Sequence, residues 1–302
     1  MALGKTSGGR KNPSDLVISL IIRSLFTLAL LLPYRLRVPF SGWLVATIIS
    51  PLAGYSNRIK KNLMYVLPEL PPSEVKRLVK EVPNNAGRTL IEIFSGEEFI
   101  VRAENAECIG SGLKELERAA KENRPVVLVT GHFGNYDVAR AALTKRGHKV
   151  GALYREMNNG YFNNWYEKAI SKIGTPIFPR GRKGLSELIK FLRNGGMAGF
   201  LIDQHMRDGA PLTYFGKTAL TGLSAADLAL KYNAVLIPVY GLRLPNGLDF
   251  KLIFEEPIEH STSEKMTQEL NDSLEAIVKQ NMAQWFWVHR RWKPDDKTRN
   301  KV

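Results

Sequence analysis

The sequence predicts an α/β fold with a mostly parallel central sheet and helices on both faces, preceded by an apolar helical segment that anchors the chain to a membrane. Three observations carry this. From residue 125 onward, short apolar β-branched runs alternate with amphipathic helical stretches, the pattern of βα units in a parallel sheet. The chain is 302 residues long and 44% hydrophobic, enough for one large core and incompatible with a disordered chain. Residues 1–62 hold nine Lys/Arg and one acid, Asp15, and so carry +8 of the net +14. Basic residues interleaved with apolar ones suit an anionic membrane surface better than a nucleic-acid groove.

The elements follow in order. Residues 1–14 are a polar leader. Residues 16–33 (LVISLIIRSLFTLALLLP) are about long enough to cross a bilayer but are interrupted by Arg23. A second apolar stretch, residues 38–55, contains Pro51. The two read either as one spanning helix or as a hairpin lying in one leaflet, with Arg23, Arg35 and Arg37 at the headgroups. A buried core helix is the alternative, and the basic flanks oppose it. The division expected is a membrane-anchoring segment at 1–56 and a catalytic domain at 57–302. Residues 58–100 read as helical, with Pro71, Pro72 and Ser73 opening a helix, and residues 112–123 as a further amphipathic helix. Strands are expected at 125–132, 148–155, 175–180, 197–203, 234–243 and 249–254. Helices are expected at 137–147, 161–174, 184–196, 223–233 and 264–283. The single cysteine, Cys108, rules out an internal disulfide and reads as a buried spectator thiol. The five histidines (132, 148, 205, 260, 289) show no metal-ligand spacing, so no metal site is read here.

In a parallel sheet, ligands bind beyond the carboxyl ends of the strands. His132, Arg155, Arg180 and Asp203 each fall at such an end. The most informative segment is Thr130-Gly-His-Phe-Gly-Asn-Tyr-Asp137. A strand delivers His132 to a turn, and Asp137 begins the next helix, close enough for its carboxylate to reach the imidazole. A carboxylate on one ring nitrogen fixes the tautomer and leaves the other nitrogen to take a proton from an attacking hydroxyl. Gly134 permits the turn and close substrate approach. The competing reading makes Asp137 a helix cap and His132 a satisfied core histidine. No Gly-x-Ser-x-Gly elbow is present to argue for a serine nucleophile. Arg155 and Arg180 carry guanidinium forks suited to a phosphate or a developing oxyanion, or to a structural salt bridge. Asp203 is placed to hold a substrate group or to pair with one of these arginines.

Gly131-His132-x-Gly134-Asn135-x-Asp137 after an apolar strand resembles the first motif of the glycerolipid acyltransferase superfamily. More narrowly, the chain resembles the lipid A biosynthesis (lauroyl/myristoyl) acyltransferases. The likeness runs through Asn62-Leu63, Pro68-Glu69-Leu70, Arg88 to Glu92, Tyr154-Arg155 with Asn158, Arg180 with Arg182 as the alternative, Asp203-Gln204, Tyr214-Phe215-Gly216 and Ile237-Pro238-Val239. It closes on Gln284-x2-Trp287-x-His289-Arg290-Arg291-Trp292-Lys293. The resemblance implies a glycerolipid acyltransferase-like sheet, with His132 and Asp137 as catalytic pair. Substrate would be bound by Gly134, Asn135, Tyr154, Arg155, Arg180, Asp203 and Gln204. It implies no cofactor and no nucleic acid. The acyl donor would be a thioester, on acyl carrier protein or coenzyme A, and the acceptor a lipid, at the cytoplasmic face of a bacterial inner membrane. Relatives act on lipid A precursors, glycolipids and aminolipids, so the acceptor stays open. The rival class is a non-catalytic basic membrane-binding protein, which would need no His-Asp pair after a buried strand. The aromatic, basic C-terminus fits a nucleic-acid surface, a membrane interface or a closure of the core, and the resemblance favours the last.

Overall fold

The computed structural model describes residues 12–293, so most of the polar leader lies outside the described residues. Seven strands make the main sheet: β1 (Glu107–Ile109), β2 (Val126–Thr130), β3 (Val150–Tyr154), β4 (Ile177–Pro179), β5 (Met197–Leu201), β8 (Val235–Arg243) and β9 (Phe250–Phe254). Their order is β1-β9-β8-β2-β5-β3-β4. The block β8-β2-β5-β3-β4 is parallel throughout, and β9 turns back antiparallel to β8. The six expected strands are all present. The structure adds β1, a three-residue edge, and a separate hairpin of β6 (Ala210–Tyr214) with β7 (Lys217–Thr221). All five residues of β2 are buried, as a central parallel strand covered on both faces requires.

One face of the sheet packs against α6 (Glu97–Glu104), α8 (Val138–Lys145) and α9 (Gly160–Ile173), the core formed by residues such as Leu128, Val150, Val239, Ala142 and Ile170. The other face takes α10 (Arg182–Arg193), α11 (Ser224–Tyr232) and α12 (Ser263–Gln280), around Val127, Val129, Leu188 and Leu270. The helix α7 (Gly112–Lys121) leads into β2. A third core gathers Trp285, Trp287 and Trp292 around Tyr214, Phe215 and Leu63. Both Trp285 and Trp287 are fully buried, and Arg291 is buried with its guanidinium donating to Thr221 Oγ1 (2.7 Å) and the Leu220 carbonyl (3.0 Å). The C-terminal aromatics therefore close the core. Indoles buried in this way offer no stacking platform to a nucleic acid.

The N-terminal part is helical, as read. The helix α1 (Pro13–Leu30) is long and apolar enough to cross a membrane, and almost none of it is buried. Its Arg23 lies over the Trp165 ring of α9, 5.9 Å from the centroid. The helix α2 (Tyr34–Leu44) runs on through a π-turn at 45–49 into the short α3 (Ser50–Leu52). The chain then bends by 85° into α4 (Tyr55–Val66). These helices pack on the long α5 (Pro72–Phe94). Tyr34 and Val38 enter the main core, and Arg37 bonds Ser95 (3.1 Å) and pairs with Glu98. Residues on the outer side stay bare, including Phe40, Trp43, Ile48 and Leu52, the last 85% exposed. Cys108 is half-buried rather than buried, and its thiol faces Arg146.

Candidate active site

The parallel pairing of β2 with β5 aligns Thr130 with Leu201. Two residues further along both strands, His132 and Asp203 come to lie side by side. The ring Nδ1 of His132 is 2.8 Å from Asp203 Oδ1, and the His132 backbone N–H donates to Asp203 Oδ2 at 2.7 Å. Trp285 Nε1 donates to the same Oδ2 at 2.9 Å. Asp203 is fully buried. Burial raises its pKa, but the charge and hydrogen bonds of His132, with a further contribution from His289, outweigh this and hold the carboxyl below its usual range. An ionised carboxylate can only accept, so Nδ1 is the nitrogen that carries a proton toward it, and in the neutral ring the lone pair lies on Nε2.

The carboxylate on the His132 ring is thus Asp203 and not Asp137. Asp137 instead receives Arg140 Nε (2.9 Å) and Nη2 (2.8 Å) on one oxygen. Arg140 also donates to the carbonyls of Ile170 and Gly174, tying α8 to the end of α9. Asp137 still lines the cavity beside His132, but its partner is a cation at helical i,i+3 spacing. Helical spacing competed with the turn for this side chain and won.

Gly134 has φ +52°, and a Cβ there would lie 1.9 Å from the Gly241 carbonyl oxygen. No other residue fits. Its own carbonyl accepts from Thr89 Oγ1 (2.8 Å) and Asn85 Nδ2 (3.1 Å) of α5, and its N–H donates to the Gln284 carbonyl (2.9 Å). Asn135, expected to touch substrate, is fully buried. It donates to Glu92 (2.8 Å) and accepts from the Asp137 N–H (3.0 Å), so it shapes the turn from inside. Glu92 is fully buried and held by both terminal nitrogens of Arg243. The sequence reading missed Arg243, although Arg88 to Glu92 was noted as a block.

Two cavities meet at His132. The larger, about 400 Å³, lies between the sheet and α8 and α9. Deep in it the walls are apolar, from Leu128, Ala139, Val150, Gly199 and Val239. Its mouth carries Tyr154, Arg155, Asn158 and Gln204. The volume falls within the range of small-molecule sites. The second, about 260 Å³, reaches His132 and Gly134 from the side of α5 and the π-turn, lined by Val45, Ile49, Val82, Leu90 and Phe286. Arg155 is exposed beside Asn158 at 3.3 Å. Arg180, also exposed, leans on Met206 and lines neither cavity.

A second imidazole completes the site. The His289 ring lies edge-on to His132, with centroids 4.4 Å apart. Burial pushes its pKa down to about 4, the neighbouring His132 acting the same way and Asp203 opposing. It is therefore neutral at neutral pH. Trp285 and His289 sit in the C-terminal aromatic, basic block, and their contacts with Asp203 and His132 are not legible from spacing.

Comparisons with known proteins identify the family. The sequence model of the family described as Bacterial lipid A biosynthesis acyltransferase matches residues 6–294. The chain is similar to the Haemophilus influenzae lipid A biosynthesis acyltransferase, 21% identical over 266 residues, or 85% of this chain and 81% of that protein. It is similar to the Escherichia coli K12 lipid A biosynthesis palmitoleoyltransferase, 23% identical over 272 residues, 87% and 86% of the two chains. The Shigella flexneri lipid A biosynthesis acyltransferase 2 matches over a shorter stretch, 22% identical over 184 residues, 59% and 58% of the two chains. With nearly its whole length matched, the chain belongs to the bacterial lipid A biosynthesis acyltransferase family, and it is an acyltransferase.

Proposed function

We propose that this enzyme transfers a fatty acyl chain from an acyl carrier protein thioester to a hydroxyl of a lipid A precursor, at the cytoplasmic face of a bacterial inner membrane. The observation that carries the chemistry is the His132–Asp203 pair at the point where a largely apolar cavity reaches the His132 ring. His132 Nε2 takes the proton of the acceptor hydroxyl as its oxygen attacks the thioester carbonyl. The tetrahedral intermediate collapses, the C–S bond breaks, and the imidazolium returns the proton to the leaving thiolate. Asp203 holds the tautomer and stabilises the imidazolium. Asp137 acts one step back, through Arg140, by fixing the start of α8 that walls the cavity.

The larger cavity takes the acyl chain. Arg155 at its mouth binds a substrate phosphate, and Arg180 adds to the basic rim that an acidic carrier meets. The bare apolar residues of α1 to α3 lie in the bilayer, with Arg23, Arg35 and Lys60 near the headgroups. Lipid mass spectrometry of a deletion strain tests the acceptor: lipid A lacking one acyl chain, restored by the wild-type chain and not by His132→Ala, is expected. Unchanged lipid A with a changed aminolipid or glycolipid would reassign the acceptor.

A further inference from the structure

We propose that His132, Asp203 and His289 form a transition-metal site, and that a divalent ion such as Zn²⁺ held there switches acyl transfer off. The ligand atoms of the three residues all lie within 4.8 Å of one another. Two imidazoles and one carboxylate are a donor set that first-row divalent ions favour, with a further position left for water. The residues come from three separate parts of the chain, the turn after β2, the end of β5 and the C-terminal segment, which is why no spacing in the sequence showed them.

Two features go beyond proximity. His289 Nε2 is buried with no hydrogen-bond partner. A buried polar nitrogen left in that condition is uncommon and calls for a ligand. Bonding an ion there breaks no existing hydrogen bond. The second feature is the setting of Asp203. Its Oδ2 is fixed by the His132 N–H (2.7 Å) and Trp285 Nε1 (2.9 Å), so Oδ1 is the oxygen turned to the two rings. Outer donors of this kind orient a metal-binding carboxylate. Ligands about 2.0–2.2 Å from a tetrahedral ion stand roughly 3.3 Å apart. The widest pair must close by about 1.5 Å, which rotation of the His289 ring supplies.

Silencing follows from the tautomer. The ion takes the place of the proton between His132 Nδ1 and Asp203 Oδ1. The ring's one proton then sits on Nε2, the nitrogen that must accept the hydroxyl proton. Binding on Nε2 instead consumes the same lone pair directly.

The inhibition rests on the acyltransferase mechanism above, while the binding does not, and the experiment separates them. Metal-stripped full-length enzyme in detergent is titrated with Co²⁺, a spectroscopic substitute for Zn²⁺. One equivalent with a tetrahedral absorption band is expected, and lost in His289→Phe. Acyl transfer is then assayed at buffered Zn²⁺, each variant scaled to its own metal-free rate. Half-inhibition should rise by roughly 10-fold or more in His289→Phe, the scale on which lost metal-site contacts act, and a chelator should restore the wild type. If His289→Phe melts early, His289→Gln replaces it. No stoichiometric Co²⁺ band, or a band and an inhibition curve unaltered in the His289 variants, overturns the site. A normal Co²⁺ result with no acyl transfer in any sample would sink the proposed reaction and leave the metal site standing.

Discussion

Replacing Asp203 by Asn separates the two carboxylates around His132. The carboxylate oxygen Oδ2 accepts two N–H groups, from the His132 backbone and Trp285, so the asparagine oxygen must stay there. The amide nitrogen then falls at the Oδ1 position, 2.8 Å from His132 Nδ1, and becomes a donor. Nδ1 must now accept, and the ring proton moves to Nε2. The base is lost without a change of shape. A wrong tautomer of this origin costs about 10⁴-fold in a serine protease triad, and general-base help alone is typically worth roughly 10²–10⁴-fold. Asp203→Asn should therefore lower kcat by about 10²–10⁴, or about 3–5 kcal/mol of barrier, with a folded protein. Asp137→Asn should do something else. It weakens the tie to Arg140, so the melting midpoint should drop while kcat falls far less. The assay is turnover of an acyl carrier protein thioester with a purified lipid A precursor, alongside thermal unfolding of each variant. The double variant His132→Ala with Asp203→Asn should be little worse than the worse single, since the two act as one unit. Near-normal turnover in a folded Asp203→Asn protein, or a stable Asp137→Asn protein as inactive as His132→Ala, would refute this assignment.

Other perturbations give sharper or broader effects. Gly134→Ala drives a Cβ to 1.9 Å from the Gly241 oxygen at a φ of +52°, so it should lose activity and melt early, as circular dichroism would show. Glu92→Gln leaves Arg243 buried without its anion, which should cost about 3–5 kcal/mol in denaturant unfolding. Arg155→Lys keeps the charge but loses the fork, so kcat/KM for the phosphorylated acceptor should fall with kcat less affected, measured by initial rates. Trp43→Ser with Leu52→Ser, both at exposed apolar positions, should weaken binding to anionic vesicles in flotation while leaving the melting curve unchanged.

How far the sequence could be read depends on what each feature required. The six long strands and their helices were legible because apolar period and turn residues are local. So were the strand ends, just beyond which His132, Arg155, Arg180 and Asp203 all lie. Lateral order in the sheet was not legible. The chain visits β2, β3, β4 and then β5, and nothing local says that β5 inserts between β2 and β3. That insertion is what puts Asp203 beside His132 and sends Asp137, the nearer carboxylate in sequence, to Arg140. The hairpin β6–β7 was missed because only three of its ten strand residues are buried and its strands carry Pro211 and Lys217, poor strand signals. His289 was quoted for its motif, but only tertiary folding of the C-terminal segment brings it to the base.

The same helix that supports the turn bearing His132 also packs against the apolar N-terminal helices. Through Asn85, Thr89 and Glu92, α5 holds the carbonyl of Gly134 and the side chain of Asn135. Its opposite side packs on α2, closely enough that a Cβ on Gly87 would reach the Ser41 carbonyl at 2.5 Å. The cavity of about 260 Å³ runs along this contact, with Val45 and Ile49 at one end and His132 at the other. The apolar N-terminal helices and the α/β domain, separable on composition, therefore meet at α5. On the reaction proposed above, a lipid reaching His132 from the side of α2 passes the mostly apolar walls of this cavity, with Asn85, Thr89 and Gln284 among them, while the acyl donor meets the Arg155 mouth of the larger cavity. The two cavities would then give donor and acceptor separate routes to His132, and the direct transfer proposed above, with no acyl-enzyme to move between them, fits that arrangement.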